Sequence, residues 1–328
     1  MRISVLGLGH WGTAIASHLA GKGFEVLGWS IEPEVVEGIN RAHRNPKYLS
    51  QVELAAGLRA TADLERTAGH DYMILVLPSE VLSRVLPKVP VRADTIFVSA
   101  VKGIDYESVL TPLECAQRFL PVLPELAVIS GPGFAKDVAA GRVVGLVAAS
   151  QREETARKVA DLFSNEGMRV YTSTDPLGVE LGGILKNVIA IAAGAVDGLE
   201  LGDSARAGLI TRGLAEMTRL ACAMGADART LSGLSGLGDL VLTCTCDNSR
   251  NRTVGFRLAK GESLNEIISS LGSVAEGVKN SASVLKLAEK YGVDMPISVQ
   301  VDRILRGEVS PQQSLRALVS RPLKKELE

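Results

Sequence analysis

The run Gly7-Leu-Gly9-His-Trp-Gly12 constrains this chain more than any other feature, because it follows a short apolar segment at 3–6 and opens into Thr13-Ala14-Ile15-Ala16. Glycines at the first, third and sixth places allow a tight strand-to-helix turn, close approach of an anion to the backbone, and packing of the helix on the strand. The helix start adds aligned N–H groups. An ordinary strand-to-helix turn would carry the same glycines, but a second branched apolar run at 24–29 completes a βα unit of the kind that binds a dinucleotide pyrophosphate.

Further apolar runs at 73–77, 95–99, 126–130, 143–148 and 169–172 read as buried strands, with helical patterns such as 13–20 and 153–163 between several of them. That alternation is what a parallel α/β sheet requires. From 181 the strand signal stops, and long helical patterns follow at 186–195, 205–224, 252–260, 281–291 and 297–306. The expected fold class is α/β: a Rossmann-type dinucleotide-binding domain with a mostly parallel sheet over residues 1–178, then an all-α substrate and catalytic domain over 179–328. The boundary is set near Thr174-Asp175-Pro176-Leu177-Gly178, where Pro and Gly disfavour continuation of either pattern.

With 36 basic against 37 acidic residues the formal charge is −1, so no bulk field recruits nucleic acid or an anionic membrane, and any anion must meet a local site. The four cysteines, Cys115, Cys222, Cys244 and Cys246, are too sparse for a disulfide scaffold, and Cys244-Thr-Cys246 lacks the spacing of a zinc knuckle. No metal is expected. The uncharged stretch 3–21 is broken by glycines and histidines, which fits a strand, a turn and a helix better than a targeting segment. A soluble, cytoplasmic protein acting on a small molecule is the expectation.

Glu32 lies at the end of the second strand, about 20 residues past Gly12. An acid there accepts from ribose hydroxyls of NAD and repels the extra phosphate of NADP; a solvated loop acid is the alternative. With no Arg at 30–34, the sequence leans to NAD. All four histidines precede residue 71, so the proton-transfer group in the helical half is something else. Lys186 stands alone in 181–196, with no other charge until Asp197. Desolvation on such a helix lowers an ammonium's pKa toward a useful range; a lysine snorkelling to solvent shows the same pattern. Asn187 beside it suits a hydroxyl or a carboxamide. Lys102 and Lys136 each follow a strand end, where ligands of α/β sheets collect; a surface role is the stronger reading for Lys136. Asp239 and Thr243 follow a glycine-rich stretch one helical turn apart, as a tuning carboxylate and a hydroxyl or as a plain helix start. Asn248-Ser249-Arg250-Asn251 precedes a helix and forms either a phosphate cradle or a solvated cap.

Taken together these stretches closely resemble the bacterial type of NAD(P)-dependent glycerol-3-phosphate dehydrogenase. The resemblance rests on 7–14, Ala100-Val-Lys-Gly-Ile104, Ser130-Gly-Pro-Gly-Phe-Ala-Lys136, Leu185-Lys-Asn-Val-Ile-Ala-Ile-Ala-Ala-Gly194, Ala205-Arg-Ala-Gly-Leu-Ile-Thr-Arg-Gly213, 233–243 and Asn248-Ser-Arg-Asn251, and it spans nearly the whole chain in order. It implies Lys186 as proton acceptor, with Lys102, Asn187, Asp239 and Thr243 around the reacting alcohol. Lys102 also belongs to the cofactor side. Gly131, Gly133, Ser249, Arg250 and Asn251 become substrate contacts, Arg250 touching the cofactor as well. Gly7, Gly9, His10, Trp11, Gly12, Glu32, Ala135, Val274 and Glu276 line the cofactor, which is NAD or NADP. The resemblance further implies a homodimer and a supply of glycerol 3-phosphate to phospholipid synthesis.

Three departures stand out. Gly133 replaces a usual Ser or Thr, Val101 a usual Thr, and Ile31-Glu32 an often basic stretch. Two rival readings are another dehydrogenase of the same layout acting on a hydroxy acid or sugar acid, and a regulatory module that senses the dinucleotide without turnover.

Overall fold

The computed structural model describes residues 1–272, 275–323 and 325–326. Its elements run β1 (Arg2–Leu6), α1 (His10–Gly21), β2 (Glu25–Trp29), α2 (Pro33–Ala42), β3 (Leu58–Thr61), β4 (Tyr72–Leu75), α3 (Leu82–Val85), β5 (Ile96–Ser99), α4 (Pro112–Phe119), β6 (Glu125–Ser130), α5 (Ala135–Ala139), β7 (Val144–Ala149), α6 (Glu153–Phe163) and β8 (Met168–Ser173). Helices follow: α7 (Pro176–Gly198), α8 (Asp203–Ala223), α9 (Ala228–Leu231), α10 (Asp239–Thr245), α11 (Arg250–Ala259), α12 (Leu264–Leu271), α13 (Glu276–Lys290), α14 (Pro296–Leu305) and α15 (Pro311–Val319). Two compact units result, Met1–Gly183 with Ala226–Asp239, and Ile184–Gly225 with Leu240–Glu328.

The first unit is built on one eight-stranded sheet in the order β3-β2-β1-β4-β5-β6-β7-β8. Every pair is parallel except β6–β7, so the mostly parallel expectation holds. Strands covered on both faces need apolar residues at every position. On β4, Tyr72 and Ile74 pack with Ile15 and Leu19 of α1, while Met73 and Leu75 pack with Leu82, Phe97 and Cys115 on the opposite face. Strand β3 has no sequence signal, because Leu58-Arg-Ala-Thr61 has no apolar run. As an edge strand paired only to β2, it leaves Arg59 exposed.

Pro176 and Gly178, expected to interrupt both patterns, instead open α7. Proline is suited to the first helical position because it has no N–H to satisfy, and Asp175 Oδ1 accepts the Gly178 N–H at 2.9 Å. This helix is long and apolar enough to cross a membrane, yet its most apolar window is wholly buried inside the protein. In the second unit, Glu216 on α8 accepts the N–H groups of Ile297 (2.6 Å) and Ser298 (3.2 Å) at the start of α14. Burial pushes its carboxyl up to about 7.

Glu180, 1% exposed on α7, accepts the Leu113 N–H at 3.0 Å through Oε1, while Oε2 has no partner. Burial pushes this carboxyl up to about 8. An acid whose folded pKa is raised stabilises the fold fully below its unfolded value, and that contribution is lost as pH rises through the folded value. Glu180→Gln is therefore expected to flatten the fall in Tm between about pH 5 and about pH 9, as followed by thermal melting. Parallel melting profiles for the two proteins would mean that Glu180 is not buried as an acid.

Candidate active site

In the first unit, the glycine turn is held from inside. Gly7 has φ +107°, a conformation that glycine tolerates best, and a Cβ there would meet the Val76 carbonyl oxygen at 2.7 Å. A Cβ on Gly12 would lie 1.9 Å from the Gly7 oxygen. Asn45, fully buried, donates to the Leu8 carbonyl (2.9 Å) and to Thr13 Oγ1 (2.8 Å), fixing the turn to the loop after α2. Asn45 carried no sequence signal, because one polar residue in a loop has no periodicity.

A Cβ on Gly9, by contrast, would have no heavy atom within 4 Å. Gly9 precedes α1, whose start has neither a side-chain cap nor an acid in its first turn. Trp11 Nε1 is buried and has no hydrogen-bond partner. Open space, uncapped helix amides and an idle donor suit a pyrophosphate, so these residues fit a dinucleotide. His10 lies edge-on to Tyr48 at 5.2 Å, and Ala135 opens α5.

Glu32 precedes α2 and is not an isolated loop acid. Its Oε1 pairs with Lys47 and accepts from the Tyr48 hydroxyl at 3.1 Å. Lys47 and Tyr48 were missed because they stand 15 and 16 residues away.

The strand-end lysine Lys102 donates to the Gly131 carbonyl (3.0 Å) and to Asp239 Oδ2 (2.6 Å). Asp239 is 1% exposed, and the glycine-rich stretch before it forms a π-helical turn, Leu234–Gly238. Gly183 of α7 passes beside Lys102, where a Cβ would come within 3.4 Å of Lys102 Cγ and 2.5 Å of Ser130 Oγ. Gly131 has φ +141°. At Gly133 a Cβ would make only ordinary contacts, with Trp11 at 3.6 Å, so there is space for a Ser or Thr side chain. A cavity of about 570 Å³ beneath β7 and β8, with Val147, Tyr171, Val179 and Leu234 in its wall, includes none of the residues argued for chemistry.

In the second unit, Lys186 is 6% exposed and donates to Thr243 Oγ1 at 2.7 Å. Asn187 Oδ1 accepts from Asn251 Nδ2 at 2.9 Å, and Asn251 Oδ1 accepts the Gly277 N–H at 2.9 Å. Asn251 therefore ties α7, α11 and α13 together. Ser249 caps α11, whose first residue, Arg250, is exposed; Glu276 opens α13. Val274 lies outside the described residues. Among the described residues no group of three or more His, Cys, Asp or Glu side chains is placed to hold a metal.

Residues 2–156 match the family described as NAD-dependent glycerol-3-phosphate dehydrogenase N-terminus, and 175–316 match the corresponding C-terminus. The chain belongs to this family. It is 48% identical to a glycerol-3-phosphate dehydrogenase [NAD(P)+] of Nitratidesulfovibrio vulgaris, over 99% of this chain and 100% of that one. It is 46% identical to the enzyme of that name from Geobacter sulfurreducens, over 99% and 98% of the two chains. The crystal structure of glycerol-3-phosphate dehydrogenase from Coxiella burnetii superposes with TM-score 0.93 at 38% identity, covering 98% of this chain and 99% of that one. A D-mandelate dehydrogenase, at TM-score 0.61 and 16% identity, shares the fold alone. Family membership thus rests on both halves of the chain and not on the glycine turn, which many folds share.

Proposed function

We propose that this family member is an oxidoreductase that interconverts sn-glycerol 3-phosphate and dihydroxyacetone phosphate with NAD or NADP. The observation that carries the reading is Lys186: an ammonium buried to 6% exposure, hydrogen-bonded to the Thr243 hydroxyl, in the segment that matches the family. When bound, the nicotinamide supplies the hydride donor or acceptor.

The chain's own residues bind, orient and move the proton. In the reducing direction Lys186 gives its proton to the oxygen developing on C2, and Lys102 stabilises the negative charge as it forms. Asp239, paired with Lys102, sets where that second ammonium stands. Asn187 and Thr243 orient the alcohol. Ser249, Arg250 and Asn251 hold the phosphate, and the resemblance makes Gly131 and Gly133 substrate contacts as well. Residues 1–178 serve as the dinucleotide domain: Gly7, Gly9 and Gly12 give the pyrophosphate access to the α1 amides, and His10, Trp11 and Ala135 line the cofactor; in the substrate domain, 179–328, the resemblance gives cofactor contacts to Arg250 and Glu276. In this reading the enzyme works in the cytoplasm as a homodimer and supplies glycerol 3-phosphate for phospholipid synthesis.

The test is reduced-cofactor oxidation with dihydroxyacetone phosphate beside a panel of 2-keto acids. Turnover confined to the phosphate ester is the expected result, and preference for a keto acid would replace this reading with a hydroxy-acid dehydrogenase. Binding of cofactor with no turnover of any substrate would leave a sensing module.

Glu32 gives the enzyme a lean to NAD, because its carboxylate accepts from the ribose hydroxyls and opposes a 2′-phosphate. Its pairing with Lys47 means that removing the acid also releases a cation. Glu32→Ser is expected to shift the NADPH-to-NADH ratio of kcat/KM by about tenfold or more toward NADPH. An unchanged ratio would take Glu32 out of cofactor choice.

A further inference from the structure

The segment Ala205-Arg-Ala-Gly-Leu-Ile-Thr-Arg-Gly213 has no part in the reaction as read above, yet Arg206 reaches a carboxylate that also holds α11. Asp197, near the end of α7 with its side chain 9% exposed, accepts from Arg206 Nη1 through one oxygen and from Arg252 Nε through the other, each at 2.7 Å. Arg252 in turn donates to Asp247 at 2.6 Å, and its backbone N–H donates to the Ser249 cap at 3.2 Å. One partly buried carboxylate therefore grips α8 and the first turn of α11.

The contact between α7 and α11 explains why a grip is needed there. A Cβ on Gly194 would lie 1.9 Å from the Arg252 carbonyl oxygen, and one on Gly255 would lie 1.8 Å from that of Ile191. Side-chain ridges set the register of most helix pairs, and these glycines remove them where the backbones meet. A partly buried ion pair has directional partners and can set register in their place. Register matters because α7 carries Lys186 and Asn187, while α11 begins with Arg250 and Asn251.

We propose that Asp197 is a positioning residue for the phosphate end of the substrate: through Arg252, with Arg206 as second anchor, it fixes where Ser249, Arg250 and Asn251 stand relative to Lys186 and Asn187. This rests on the reading of residues 249–251 as the phosphate site. A salt bridge that served folding alone would lower turnover of every substrate equally. Asp197 as a positioning residue acts only on substrates that carry the phosphate.

The experiment compares the full-length enzyme with Asp197→Asn, Arg252→Gln and Arg250→Ala, using dihydroxyacetone phosphate and unphosphorylated dihydroxyacetone as substrates. Arg252→Gln keeps the Asp197–Arg206 pair and serves if Asp197→Asn does not fold. For Asp197→Asn and Arg252→Gln, kcat/KM for the phosphate ester is expected to fall about 10- to 100-fold, mainly through KM. Turnover of dihydroxyacetone, the KM for NADH and the pH profile of kcat should stay within about twofold of wild type. Asp197→Glu, which restores the charge, should recover part of the loss. Equal losses on both substrates, or no change on either, overturn the proposal. If Arg250→Ala raises the KM for the phosphate ester while the other two variants do not, the positioning role alone fails. If Arg250→Ala has no such effect, the phosphate reading fails and takes the positioning role with it.

Discussion

Replacing Lys186 with alanine is expected to lower kcat by about 10²- to 10⁴-fold, the range lost with a general acid or base, while NADH affinity stays within about twofold of wild type. Lys186 sits between apolar neighbours on α7, with Leu185, Val188 and Ile189 all at most 1% exposed. Alanine is a good helix former and leaves no charge to bury, so the fold should tolerate the change. What disappears is the proton delivered to the alkoxide and the donor to Thr243 Oγ1. Steady-state kinetics with dihydroxyacetone phosphate, beside fluorescence titration of NADH, separate the two effects. Turnover close to wild type would remove Lys186 from the mechanism, and with it the main support for the proposed chemistry.

A comparably large effect is expected at Gly9. Valine there should leave the melting temperature nearly unchanged and weaken NADH binding by about 100-fold or more, because the side chain would stand where the anion approaches the α1 amides. The structure makes this selective: a Cβ on Gly9 meets nothing within 4 Å, and Gly9 has an extended backbone at φ −67° and ψ −167° that valine accepts. Gly12 is the contrasting control, since its Cβ would collide with the Gly7 carbonyl at 1.9 Å. Gly12→Ala should lose stability along with binding. NADH affinity unchanged in Gly9→Val would place the cofactor elsewhere and undo the dinucleotide reading of the turn.

Much of this fold is legible because its signals are local. A branched apolar run marks a strand covered on both faces, as at residues 73–77 for β4, and the structure places Tyr72–Leu75 there. Residues 153–163, with alternating polar and apolar turns, give α6 at the same bounds. The misses also have physical causes. β3 is an edge strand with one solvent-facing position and needs little apolar surface, so its pattern is faint. The Pro176 region looked like an interruption because local propensity penalises proline inside a helix but not at its first position.

The candidate site is legible as a set of residue types and much less so as a set of partners. Lys186 stood out because a lone charge in an apolar helix is unusual, and Gly7, Gly9 and Gly12 because their spacing has a mechanism. The sequence offers Asp239 as a tuning carboxylate, but its pairing with Lys102, 137 residues earlier, has no local signal. Glu32 looked free at the end of β2, but Lys47 and Tyr48 hold it. The carboxylate joining Arg206 to Arg252 had no sequence signature at all.

The sequence by itself determined the alternation of strand and helix, the glycine turn with its anion-ready helix start, and the types of side chain available for proton transfer, since each depends on residues within a turn or two of one another. Only the tertiary structure decided which charges neutralise which, that 226–239 packs with the first unit, and that α7 and α11 meet glycine to glycine. Those outcomes depend on chain crossings between distant segments. Their free energy comes from burial and from charge pairing that exist only once the whole chain has closed on itself.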